Sequence, residues 1–116
     1  MSPTEDQLIG PIIAERTLSA RISESETQEV VIRMAAPERV DDGFYRCWWE
    51  FVTPGYRKVH YAAGLDGFQA IHLATKLIGV ILWCMSKDDG YHFTWEGTDD
   101  LGFPKFTPQA ESSPPP

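Results

Sequence analysis

The sequence predicts an α+β domain: an antiparallel sheet of about five strands, in the order β-β-β-β-α-β, with one long helix from the C-terminal half packed on one face. Three observations predict it. Four stretches between Ile12 and Ala63 carry strand signals, most of them alternating apolar and polar residues, and are separated by turn residues. The stretch Phe68 to Met85 switches to a helical period. A short alternating stretch, Tyr91 to Trp95, closes the pattern.

The first stretch, Ile12 to Ile22, places Ile12, Ala14, Leu18, Ala20 and Ile22 on one face, with Arg16 as the odd member. Ser23 to Thr27 is polar and makes a hairpin loop, and Gln28 to Ala36 alternates again with Val30, Ile32 and Met34 on one side. Pro37 and the turn Asp41-Asp42-Gly43 end that strand. Phe44 to Thr53 is dense in aromatics, as a central strand requires, with Tyr45, Cys47, Trp49 and Phe51 on one face and Arg46, Trp48, Glu50 and Val52 on the other. Pro54-Gly55 turns the chain into a fourth strand, Arg57 to Ala63. An even loop sets Trp49 opposite His60 and Trp48 opposite Tyr61; an odd one shifts that pairing.

Asp66 is a good helix N-cap, and Gln69 three residues on completes a capping-box pattern. Ala70, Leu73, Ala74, Leu77, Ile81 and Cys84 then recur at helical spacing, and Ile71, Ile78, Leu82 and Met85 broaden the stripe. One sheet face covers about half of a helix, and this helix is apolar over more than half, so a second layer has to cover the rest. Lys87 to Gly90 makes the next turn, and Leu101-Gly102-Phe103-Pro104 is expected to tuck Leu101 and Phe103 against the core. The acidic segment 1–11 and the Pro/Ser-rich segment 107–116 are too polar to order themselves, which leaves 12–106 as a single folded domain.

The charge balance narrows function. Ten Lys+Arg stand against seventeen Asp+Glu in 116 residues, a net charge of −7. Such a chain has no surplus of cations with which to displace counterions from a nucleic acid or to dock on an anionic bilayer. The longest nearly apolar run, Leu77 to Met85, spans nine residues, against the roughly 20 a membrane-crossing helix needs. Two cysteines without a pattern argue against a disulfide scaffold and place the chain in a reducing cytoplasm.

Several segments together resemble a family of small bacterial proteins of unknown function, domain of unknown function 6968. The matching pieces are Ile13-Ala14-Glu15-Arg16, Ala36-Pro37, Cys47-Trp48-Trp49-Glu50, the run from Tyr61 through Gly64-Leu65-Asp66-Gly67-Phe68 to Ala70, Leu77-Ile78-Gly79 and Asp100-Leu101-Gly102-Phe103-Pro104. Gly67 departs from the pattern, in which a Ser is expected. The resemblance implies a bacterial source and these domain limits; it brings no activity and no catalytic residue.

Among candidate sites, the start of the helix has free N–H groups, but Asp66 already places a carboxylate there, so capping is its expected role. Cys47 with His60 or His72 lacks the electropositive, exposed setting of a thiolate nucleophile. His60, His72 and His92 are scattered without metal-ligand spacing, so neither a metal nor another cofactor is expected. Arg16, Arg46, Glu50 and His60 are the candidate ligand-binding set, with Glu50 the natural partner for an Arg16 on the apolar face. Four tryptophans are many for one small core, and Trp48, Trp83 and Trp95 are the interface candidates.

The sequence therefore points to a non-enzymatic interaction module, a homodimer or the neutraliser of a basic partner as immunity proteins are. The competing expectation is a small-molecule binding protein or small enzyme using the Arg/Glu/His face.

Overall fold

Each alternating stretch forms a strand in the computed structural model, which describes residues 10–105. The expected unstructured tails fall almost wholly outside those residues. The elements are β1 (Ile12–Arg21), β2 (Thr27–Ala35), β3 (Glu38–Arg39), β4 (Tyr45–Thr53), β5 (Tyr56–Gly64), α1 (Gly67–Asp89) and β6 (His92–Thr94). The sheet runs β5-β4-β2-β1-β6, antiparallel throughout. Because β5 covers the whole length of β4, β2 and β3 share the other edge of that strand. Pro37 ends β2, as it lacks the N–H a ladder needs, and the chain resumes pairing as β3 two residues later. That short strand has no alternation to announce it.

A two-residue turn joins β4 to β5, with Gly55 at φ 76°. The loop is thus even, and it sets Trp49 opposite His60 and Trp48 opposite Tyr61. The pleat then sends Leu18, Val30, Ile32, Met34, Cys47, Trp49, Phe51 and Ala62 to one face, where they form the core with Phe93.

On that face lies α1. Asp66 caps it by accepting from the Gln69 N–H at 2.9 Å, and the Gln69 side chain accepts from the Leu65 N–H at 2.7 Å. The helix runs about one turn past Met85, where the helical pattern ends, and takes in the expected turn residues Lys87 to Asp89. Gly90 ends it in a left-handed conformation, φ 76°, with its N–H on the Met85 carbonyl. Ala70, Ala74, Ile78 and Leu82, one per turn, are buried against β4 and β5. The first turn sits directly on the end of β5: a Cβ on Gly64 would lie 2.5 Å from the Ala70 nitrogen. By length and composition α1 is apolar enough to cross a membrane, although no single run within it is; here its buried stripe packs on the sheet.

After β6 the chain doubles back through a Trp95–Thr98 bridge and returns along α1 as a strap, residues 99–104. Leu101 and Phe103 pack against the core, as the sequence predicts.

Candidate functional site

The register separates the four residues expected to form one ligand face. Arg46 and Glu50 project from the outer face of β4, away from α1. Arg16, opposite Ile32, and His60, opposite Trp49, lie on the helix face, with β2 and β4 between them. With this strand order and register, period two keeps the two pairs on opposite faces of the sheet.

Glu50 does not meet Arg16 either. On the outer face Arg33 lies opposite both Glu15 and Glu50. The Glu50 carboxylate accepts from Arg33 Nη1 at 3.1 Å on one oxygen and from Arg57 Nε at 2.6 Å on the other, and Glu15 adds a looser contact to Arg33 at 3.6 Å. Glu50 is only 5% exposed on a face that no described element covers. With both oxygens engaged, this is a structural ion-pair row. Beside it the Arg46 guanidinium lies 4.7 Å from the Tyr61 ring centroid, and Tyr61 contacts the Trp48 ring at 4.7 Å. Trp48 is half-buried there, its indole nitrogen shielded and without a hydrogen-bond partner.

Arg16 is resolved by the strap. Its Nη1 donates to the Leu101 carbonyl at 3.1 Å, and its guanidinium lies 3.8 Å from the Trp95 ring centroid and 4.9 Å from that of Phe103. Among the described residues no carboxylate approaches it within ion-pair distance. The strap is shaped to fit: Asp100 accepts from the Gly102 N–H at 3.0 Å, and Gly102 takes φ 80°. A Cβ on Gly102 would stand 2.5 Å from Arg16 Nη1 and 2.8 Å from the Trp95 ring, and one on Gly79 would stand 2.2 Å from the Pro104 carbonyl oxygen. Both positions admit glycine alone.

The family model described as Domain of unknown function (DUF6968) matches residues 14–105. The chain belongs to that family. No curated protein and no solved structure matches it. The stretches that carry the resemblance meet in space: Arg16 from the first, Gly79 from the helix, and Asp100 to Pro104 from the last converge at the strap, while Gly64 and Asp66 build the helix entry. Gly67, where the family pattern leads one to expect Ser, has room for a side chain, since a Cβ there would touch Pro37 at an ordinary 3.7 Å.

Among the described residues, Cys47 and His60 are engaged by their neighbours. Burial pushes the Cys47 thiol up to about 11, and its sulfur contacts the Ala35 carbonyl. His60 stacks on Trp49 at 5.4 Å, and burial, then the charge of Lys58, lowers its pKa. Among the described residues no group of three His, Cys, Asp or Glu is placed to hold a metal.

Of the three tryptophans expected on an interface, Trp95 turns inward onto Arg16. Trp83 is half-buried in a cleft with Leu82, Phe93 and Leu101, with Lys87 Nζ 5.1 Å from its ring centroid. A second apolar stripe of α1 lies elsewhere, half-buried at Leu73, Val80 and Cys84 and exposed at Leu77. Leu73, Leu77, Val80 and Cys84 follow at spacings of four, three and four residues, and Leu77, 41% exposed, overhangs His60 and Tyr61 of β5. The width of the apolar arc signals that such a stripe exists; only the packing shows which side stays open.

Proposed function

We propose that the protein is a non-enzymatic interaction module that works as a homodimer, joined along β5 and the Leu73–Cys84 stripe of α1. One observation carries this reading: only 22% of the most apolar stretch of α1 is buried, although the helix is packed on a sheet. The 4-3-4 spacing of the open stripe is that of a helix–helix seam. Next to it β5, nine residues long, pairs among the described residues only with β4 and presents its other edge unpaired by them.

The two features fit one two-fold arrangement. Strands in a sheet lie about 4.8 Å apart, so a helix seated over the β4–β5 boundary comes about 10 Å from its mate when two β5 edges pair, the distance at which helices pack. No acidic residue falls from Gly67 to Lys87, so no carboxylate has to be desolvated in that seam. The two free cysteines suit the reducing cytoplasm to which the reading assigns it.

The test is the solution mass across a dilution series, with and without about 0.5 M salt, which screens exposed charges. A dimer that survives salt supports the apolar seam. A monomer at every concentration overturns it.

A further inference from the structure

On the opposite side of α1 from that stripe, between the helix, the upper halves of β1 and β2 and the strap, runs a half-open groove of about 450 Å³. Its walls include Ile32, Met34, Ile71, Ile78 and Phe103, and the one cation among its lining residues is Arg16. From these residues we infer that the groove is a binding site for a single-tailed anionic amphiphile, a fatty-acid-like carboxylate whose chain lies on the apolar walls and whose head group pairs with Arg16.

The chemistry of Arg16 carries the choice of ligand. A guanidinium has five N–H donors, and the described structure uses one of them, on the Leu101 carbonyl. The rings of Trp95 and Phe103 contact the guanidinium without using its N–H donors, which leaves four of them for a carboxylate, in the bidentate geometry that arginine favours. A half-buried cation at an apolar groove, with no carboxylate of its own, selects an anion over a neutral chain. The nearest acid at the rim, Glu15, is drawn to the other face of the sheet by Arg33 at 3.6 Å. The groove volume falls within the roughly 300–1,000 Å³ of small-molecule sites. This site does not depend on the proposed dimer, whose seam lies on the far side of the helix.

The experiment is calorimetric titration of the full chain with octanoate, decanoate and dodecanoate below their micelle concentrations, and with dodecanol as the uncharged control. The Met34 methyl resonance reports the location. Affinity is expected to rise roughly tenfold for each two methylenes, and dodecanol to bind at least about tenfold more weakly than dodecanoate. Arg16→Gln removes that preference for the acid. Since Arg16 also holds the strap, Thr75→Trp serves as the second variant: it fills the groove from the half-buried helix surface, leaves the cation in place, and is expected to abolish binding with an unchanged melting profile. Absence of saturable binding to the native chain overturns the inference. Equal affinity for alcohol and acid, or undiminished binding by folded Thr75→Trp, overturns it as well.

Discussion

The guanidinium carbon of Arg16 lies 3.8 Å from the Trp95 ring centroid, and the same side chain donates to the Leu101 carbonyl. A residue of the first strand thereby fastens the last segment of the domain. Replacing Arg16 with Ala removes a cation–π contact and a charge-assisted hydrogen bond, and is expected to cost about 2 kcal/mol in urea unfolding followed by tryptophan fluorescence. Trp95→Ala should show a loss of similar size, and the double variant less than the sum, because the two changes break one contact.

Gly79 and Gly64 face backbone at distances no Cβ tolerates, 2.2 Å and 2.5 Å. Gly79→Ala and Gly64→Ala should each destabilise the fold by about 1–3 kcal/mol, although alanine is the better helix former at position 79. Gly67→Ser is expected to stay within about 0.5 kcal/mol of the native chain. Thermal melts of the three variants decide this.

Glu50 should prove the most sensitive outer-face residue. Glu50→Ala removes the carboxylate that half-buried Arg33 and Arg57 share, at an expected cost of about 3 kcal/mol, whereas Glu15→Ala at the exposed end of the row should cost less than about 0.5 kcal/mol.

Acid should weaken the fold through His60. Burial lowers its pKa in the folded chain, so the unfolded chain binds a proton first as pH drops through the ordinary histidine value of 6.5. The stabilisation is complete above that value and declines as pH falls toward the folded pKa. A plot of unfolding free energy against pH should therefore slope downward on the acid side, and His60→Gln should flatten part of that slope.

The cysteines should separate cleanly. Cys47, with its thiol pushed up to about 11 and no exposed surface, is expected to resist a thiol reagent at pH 8, while half-buried Cys84 reacts. Because Cys84 lies on the proposed seam, its reaction should slow as protein concentration rises.

Much of this fold is legible in the chain because its rules are local. Alternation places Leu18, Val30 and Trp49 inside, Asp66 and Gln69 announce the helix, and a two-residue turn at Pro54-Gly55 fixes the pairing of Trp49 with His60. The candidate site is not legible in the same way. Alternation puts Arg16 on the apolar face, but its partners come from a strap 85 residues later, and no local pattern tells which backbone carbonyl or ring will reach it. Likewise Glu50 pairs with Arg33 through the register of β2 on β4, which long-range packing sets, and Arg46, four residues before Glu50 on the same face of β4, ends up on Tyr61 and not in a pocket. The excess apolar arc of α1 can be counted from the sequence, yet only the packing shows that Leu77 is the exposed member of the Leu73–Cys84 stripe.

The central claim is tested most directly by light-scattering mass of the native chain and of Leu77→Glu across the same dilution series. Leu77 is 41% exposed, so its replacement leaves the fold intact by circular dichroism while placing a charge in the proposed seam. The account predicts a dimer for the native chain, in low and high salt, and a monomer for the variant. A native monomer throughout, or a variant that dimerises as well as the native chain, contradicts it.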